Sequence, residues 1–380
     1  MQNRNYHIIY LTIILVTVLA FSLMTIYASS EVAIAVSARS AVLYEPETES
    51  ILFSKDADVR LPMASTTKIM TALVAVESCA PSEEVEISAE AVGIEGSSAY
   101  LKADEVLSLE ELLYALLLQS ANDAAVAIAI HVSGSVEAFA DMMNEKAELL
   151  GLSDTHFTNP HGLDDKEHYT TATELAKIAA AALDNPTIKK IAATYKKTFA
   201  SEKRTRTYVN HNKLLRLYDG AVGVKTGFTK RSGRCLVGAA ERDGLTLISV
   251  TLDAPDDWRD HEKMLNLGYE KIERVTFALP YEHKYEISVL GEDGKSITVT
   301  NREGASLILP KGQREISEYV KLTRFTPAPV KCGDILGEVI YTLDGEAISR
   351  ISLVATEDVG VPEKEGFIKR IFTRIFGQKG

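Results

Sequence analysis

The chain has 380 residues, with 53 acidic against 41 basic side chains and a net charge of −12. It is long enough for two domains with buried cores, and its acidic balance argues against nucleic acid as a partner, because phosphate binding needs a surplus of Lys and Arg. Three widely spaced cysteines, Cys79, Cys235 and Cys332, offer neither metal-type pairing nor an even count for a disulfide framework.

At the N-terminus, Arg4 precedes an uncharged stretch from Ile8 to Tyr27 that leads into Ala28-Ser29-Ser30. A basic start, an apolar middle and small residues at the cut are the layout of a secretory signal. The apolar stretch is also long enough to span a bilayer uncut. Residues 1–30 are therefore read as a signal peptide or an uncleaved anchor, and the rest as exported. Next, "AIAVSARSAVLYEPETESILFSKDAD" alternates around a turn at Pro46-Glu47-Thr48, as a β-hairpin does.

The stretch "MASTTKIMTALVAVE" predicts a helix over Lys68–Ser78, with Ser65 as N-cap and Ile69, Met70, Ala72, Leu73 and Val76 facing a core. Lys68 shares its face with Ala72 and Val76 and so points inward. Such a lysine has a chemical use. Kept neutral by burial and nearby cations, it can serve as the base that an unaided serine hydroxyl needs. The helix N-terminus adds N–H groups and a positive dipole end where an oxyanion forms. Taken alone, Ser-x-x-Lys is more often a cap followed by a solvated lysine.

Leu109–Val132 reads as helical, yet Ser120-Ala121-Asn122 interrupts its apolar run. Buried polar groups need partners, so this is a capped break or a site. Val136–Leu150 and Thr173–Leu183 read as further helices. Between them, His161, Asp164, Asp165 and His168 form a mixed cluster of the kind that can hold zinc, with no helical spacing to orient it. "DGAVGVKTGFTKRSG" places Lys225-Thr226-Gly227 on a strand, where the glycine lets a substrate backbone approach closely. Gly233–Asp243 and Leu245–Asp253 read as strands joined at Asp243-Gly244. Strands at both ends with helices between them predict an α+β domain with a mainly antiparallel sheet over residues 31–272.

Residues 273–356 show only short alternating segments split by Gly and Pro, the pattern of a small all-β domain. Residues 357–380 read as a polar linker and an amphipathic helix, with Phe367, Ile368, Ile371, Phe372, Ile375 and Phe376 on one stripe and Lys369, Arg370, Arg374 and Lys379 around it. A helix of about ten residues is roughly 15 Å long and cannot cross a hydrocarbon core of about 30 Å. It can lie in the membrane interface beside anionic lipid, or dock on the protein's own core.

Ser-x-x-Lys, Ser-x-Asn and Lys-Thr-Gly, in this order and at these separations, form the set found in penicillin-binding proteins and class A β-lactamases. The chain more closely resembles the low-molecular-mass penicillin-binding proteins that are serine D-alanyl-D-alanine carboxypeptidases, peptidase family S11. "FTNPHGLDDKEHYTTATELAKIA" and "NHNKLL" look like that family's segments before the third motif. The all-β region and the tail look like its stalk and membrane anchor.

The resemblance implies a β-lactamase/transpeptidase-like domain without cofactor or metal, acting on peptidoglycan stem peptides and inhibited by β-lactams. It implies Ser65 as nucleophile, Lys68 as proton acceptor and Ser120 as proton relay. Asn122 holds the substrate amide and Lys68, Lys225 and Thr226 bind the terminal carboxylate and tune Ser120, and Gly227 joins the substrate-binding set. The N–H groups of Ser65 and Phe228 form the oxyanion hole, and Arg259 sits about where the family has a further cation. It also implies a location on the outer face of the cytoplasmic membrane, held there by the C-terminal helix.

Three other readings stay open from the residues. A class A β-lactamase needs a glutamate to activate the deacylating water, and Glu167 is in the corresponding loop. A zinc hydrolase would use His161, Asp164, Asp165 and His168. A catalytically silent fold would bind peptidoglycan only. Arg231 and Arg234 follow the third motif where the family often has smaller or less basic residues, and they could alter access or the preferred stem peptide.

Overall fold

A computed structural model describes residues 34–201, 204–290, 295–312 and 314–360. Its chain divides into two units, one of residues up to 240 with 247–266, the other of 241–246 with 267 onward.

The first unit is built on a five-stranded sheet of β1 (Ser40–Glu45), β2 (Ser50–Lys55), β3 (Ala221–Thr229), β4 (Gly233–Arg242) and β5 (Leu245–Leu252), in the order β2-β1-β5-β4-β3. β1 pairs antiparallel with both β2 and β5, and β3 with β4. Every residue of β1 is buried, whereas edge strand β2 is partly exposed and carries Lys55. Both expected hairpins form. Asp243 (φ 51°) and Gly244 (φ 74°) are both left-handed, the conformation in which an Asp-Gly pair matches the twist of its flanking strands.

The helices of seven residues or more are α1 (Lys68–Ser78), α2 (Leu109–Leu118), α3 (Asn122–Ser133), α4 (Val136–Leu149), α5 (Ala172–Asp184), α6 (Pro186–Ala192) and α7 (Asp257–Lys271). α1 is buried at every position from Lys68 to Ala75 and so runs through the core instead of presenting one face to it. Its neighbours α2 to α5 contribute Leu113, Ile128, Phe139 and Ile178 to the same core. The expected single helix over Leu109–Val132 is two, because the chain breaks between Leu118 and Asn122. Sequence periodicity missed α6 and α7. α6 has only seven residues, announced by an Asn185 cap and Pro186 in its first turn, and α7 is polar overall, with seven charged residues among its fifteen.

The second unit contains β6 (Ile272–Ala278), β7 (Lys284–Leu290), β8 (Ser296–Thr300), β9 (Ala305–Pro310), β10 (Ile316–Leu322), β11 (Phe325–Pro327), β12 (Ile335–Leu343) and β13 (Glu346–Ala355). Six strands form a sheet in the order β10-β12-β13-β8-β7-β11, and β6 pairs with β9. Ile287, Val289, Ile297, Val299, Val339 and Leu353 alternate into its core. Among the described residues no single helix is long and apolar enough to cross a membrane. The expected N-terminal signal and the C-terminal amphipathic helix lie outside the described residues.

Candidate active site

Ser65 is not a helix cap. It lies in a 3-10 turn, Ala64–Thr67, and α1 starts after Thr67 with no side-chain cap. Its hydroxyl is therefore not engaged by the helix end. Ser65 Oγ lies 3.1 Å from Lys68 Nζ and 3.5 Å from the His161 carbonyl oxygen.

Lys68 is fully buried. Its Nζ donates to Asn122 Oδ1 at 2.7 Å and to the His161 carbonyl at 2.5 Å. Asn122 Nδ2 donates to the Glu95 carbonyl, which fixes the amide so that its oxygen faces the lysine. Both partners of Lys68 are pure acceptors. A neutral amine uses its two N–H bonds on them and leaves its lone pair for the Ser65 hydroxyl. Burial, reinforced by the charge of Lys225 and opposed by Asp123, holds the Lys68 pKa well below that of an ordinary lysine.

Ser120 occupies the break between α2 and α3 at φ 61°. The break turns an interrupted helix into a ledge that carries Ser120 and begins α3 with Asn122. Ser120 Oγ accepts a hydrogen bond from Lys225 Nζ at 3.0 Å, and Lys225 also donates to the Thr226 carbonyl at 2.8 Å. Lys225 is buried on β3, and burial lowers its pKa to about 7. Asp123, which sequence reasoning passed over, accepts from Ser98 Oγ at 2.6 Å and from the N–H groups of Ala99 and Leu101 at 2.9 and 3.1 Å. It ties the 97–101 loop to the start of α3. The available signal was an acid placed directly after a polar break in an apolar run.

The carbonyl of His161 is also a site group that residue types do not announce. Asn159 Oδ1 accepts from the N–H groups of His161 and Gly162, and Thr71 Oγ1 donates to the Pro160 carbonyl. Gly162 has φ 85°, and a Cβ there would overlap the Ala64 carbonyl oxygen. This loop is thus pressed against the serine turn. Thr158 N–H donates to His168 Nδ1 at 3.0 Å, so the ring hydrogen sits on Nε2 and is donated to Thr67 Oγ1 at 2.8 Å. Thr67 Oγ1 in turn donates to the Ala64 carbonyl at 2.7 Å.

The four residues of the zinc reading are not assembled. His161 Nδ1 accepts from Leu163 N–H, Asp164 takes Thr229 Oγ1, Asp165 takes Glu167 N–H, and His168 faces Thr67. Among the described residues, three potential ligands converge only at Cys79, Glu83 and His131, where His131 pairs with Glu83 at 3.0 Å.

Burial lowers the His168 pKa from 6.5 to about 4. The unfolded chain therefore takes up that proton first. His168 contributes stability that is complete above pH 6.5 and is lost as the pH falls through 4. Denaturant midpoints measured from pH 7 to pH 4 should fall, and His168→Gln should lower the midpoint at pH 7 while flattening the fall. An unchanged slope in the variant would assign the acid sensitivity elsewhere.

β3 lies against the serine turn because residue 227 is glycine. A Cβ there would be 3.0 Å from the Ser65 nitrogen and 3.1 Å from the Met63 carbonyl oxygen. A cleft of about 380 Å³ opens alongside, lined by Ser65, Ser120, Thr226, Phe228, Arg234 and Trp258 among others. Arg259 is not among its lining residues. It is exposed and lies 3.4 Å from Asp256. Glu167 is also exposed and outside the cleft. The structure thus brings Ser65, Lys68, Ser120, Asn122, Lys225, Thr226, Gly227 and Phe228 together and leaves Arg259 apart. A serine beside a buried amine, with a second serine on a second buried amine, is equipped for acyl transfer through a covalent ester.

A family model described as D-alanyl-D-alanine carboxypeptidase matches residues 26–256, and one described as penicillin-binding protein 5, C-terminal domain, matches residues 280–361. The chain is 33% identical over 343 residues to the D-alanyl-D-alanine carboxypeptidase DacF of Bacillus subtilis, covering 87% of each. Among solved structures, penicillin binding protein 5 from Haemophilus influenzae is similar with a TM-score of 0.63 at 30% identity, over 86% of this chain and 99% of that one. PBP3 from Streptococcus pneumoniae, a peptidoglycan synthesis regulatory factor, reaches a TM-score of 0.68 at 25% identity over 86% and 100%.

Proposed function

The chain belongs to the D-alanyl-D-alanine carboxypeptidase family and is a serine-type enzyme that removes the terminal D-alanine from peptidoglycan stem peptides, and we propose that Ser65 is the nucleophile of that reaction and Lys68 its base. The observation that carries this assignment is the set of partners around Lys68 Nζ, two carbonyl acceptors and Ser65 Oγ.

Ser65 Oγ attacks the carbonyl between the two D-alanines as its proton passes to Lys68. The tetrahedral oxyanion sits between the N–H groups of Ser65 and Phe228; one such donor is worth about 2.7–4 kcal/mol in other serine enzymes. Ser120, held by Lys225, relays that proton: its own hydrogen goes to the leaving amine as the C–N bond breaks and the one on Lys68 replaces it, so D-alanine departs and Lys68 is neutral again. Water then attacks the ester, its proton returns through Lys68, and Ser65 is regenerated. Asn122 orients the substrate amide and Lys68, while Lys225, Thr226 and Gly227 form the side that receives the terminal carboxylate. A β-lactam presents the same kind of carbonyl and leaves Ser65 acylated.

Residues 1–30 direct export, 31–272 carry the chemistry, and 273–356 are a β-rich spacer. Residues 357–380 lie on the outer face of the cytoplasmic membrane. Support for the two terminal roles comes from the apolar N-terminal stretch and the basic, acid-free tail. The exposed position of Glu167 gives the β-lactamase reading no deacylating base in the cleft.

Intact mass of the protein incubated with a penicillin tests the assignment. A lasting adduct of one drug mass is expected, absent in Ser65→Ala. An adduct that persists in Ser65→Ala places the nucleophile elsewhere.

A further inference from the structure

Besides Lys225, the resemblance implies a further cation for the carboxylate of the departing D-alanine, and Arg259 is badly placed to supply it. Residues two apart on a helix do not share a face. On α7, Asp257 and Trp258 line the cleft, and Arg259 is turned out to solvent with its side chain 69% exposed.

A different arginine occupies the cleft. Arg234 lies on β4 directly opposite Phe228 of β3, one residue beyond the Lys-Thr-Gly motif. Its Nη2 donates to both carboxylate oxygens of Asp257, at 2.8 and 2.9 Å. Asp257 is almost completely buried, and its Oδ1 also accepts from Trp258 N–H at 2.9 Å. The guanidinium carbon of Arg234 lies 5.9 Å from the centre of the Trp258 ring. A buried carboxylate on one side and an indole on another hold the planar fork in one orientation. Asp257 engages only Nη2, so the Nε and Nη1 hydrogens of a half-exposed side chain remain for a ligand in the cleft. A planar fork of this kind suits a carboxylate better than a point charge does.

Resting on the carboxypeptidase reading, we infer that Arg234, positioned by Asp257 and Trp258, is the cation that binds the terminal carboxylate of the substrate, in place of Arg259. Arg234 is then a substrate-binding residue, and Asp257 a positioning residue that acts through it. The arrangement also accounts for the second of the two arginines that follow the third motif in this chain.

The test uses the purified full chain and two peptides ending in D-Ala-D-Ala, one with a free C-terminal carboxylate and one amidated. Wild type should favour the free acid. Arg234→Gln should lower kcat/KM on the free acid by about 10- to 100-fold, mainly through KM, while changing the amide by less than about threefold. Asp257→Asn should move the same parameter in the same direction but less far, and Arg234→Lys should restore part of the loss. Penicillin labelling of Ser65, monitored by intact mass, is run on each variant to show that it is folded and that the acyl-enzyme forms. Labelling with an unaltered preference for the free acid in Arg234→Gln overturns the assignment and leaves the carboxypeptidase reading standing. The same holds if Arg259→Ala, and not Arg234→Gln, abolishes the preference. No labelling of wild type overturns the reading on which the assignment rests.

Discussion

Lys68→Met is expected to slow the acylation of Ser65 by penicillin by about 10³-fold or more, the upper part of the range for losing a general base. Methionine preserves most of the volume of a fully buried side chain but offers the serine hydroxyl only a weakly accepting, non-basic sulfur. It also leaves Asn122 Oδ1 and the His161 carbonyl without their donor, at a cost on the order of 1–3 kcal/mol for each group left unsatisfied. Stability should therefore be followed beside the acylation rate.

The pH profile separates loss of the base from loss of packing. A base acts when deprotonated, so a lowered pKa keeps Lys68 competent at pH values where an ordinary lysine is charged. Lys225 is the second cause of that lowering, after burial. Lys225→Met should raise the Lys68 pKa and move the rising limb of acylation to higher pH. Acylation by Lys68→Met within tenfold of wild type would place the base on another residue.

Gly162→Ala is expected to destabilise the catalytic unit by about 4 kcal/mol or more, on the order of 10 °C in Tm, and to suppress acylation with it. Two effects add. The backbone is left-handed at φ 85°, where an L side chain is strained by about 1–2 kcal/mol. The new methyl group also meets the Ala64 carbonyl, backbone of the turn that carries Ser65, which has no rotamer with which to yield. The loop or the turn must move, and His161 O and Ser65 Oγ sit on opposite sides of that contact. Gly151→Ala is the control, because Gly151 is also left-handed at φ 71° but has nothing within 4 Å of the added carbon. It should lose only the conformational part and acylate normally. Equal losses in the two variants would show that the crowding against Ala64 does not matter.

The parts of the site that the sequence disclosed are those in which residue type is the chemistry. Ser65, Lys68, Ser120, Asn122 and Lys225 were legible because a hydroxyl, an amine or an amide in an apolar run demands an explanation. The inward aim of Lys68 followed from helical spacing, although full burial of α1 came from neighbours that spacing does not reveal. The His161 carbonyl was illegible because every residue has a carbonyl, and only the fold brings this one to 2.5 Å from an amine. The break at Ser120 was visible as a polar interruption, but not as a left-handed residue. Arg259 and Arg234 show the remaining limit. Both are arginines near the right motifs, and which one enters the cleft depends on the phase of α7 and the register of β4.

One feature of the sheet also governs how the enzyme comes into being. β1 is completed by β5, and the N–H groups of Ser37 and Ala38 are held by Asp260, more than two hundred residues later. Contacts of such separation form late and slowly in a folding chain. A nascent chain that ends before β5 lacks the central strand of the sheet and leaves β1 paired on one edge only, and one that ends before β3 has a serine without Gly227 and Lys225 beside it. Ser65 therefore gains its reactivity only when nearly the whole catalytic unit has closed on itself. Labelling by penicillin counts molecules that have finished folding, which makes the drug a conformational probe as well as an inhibitor.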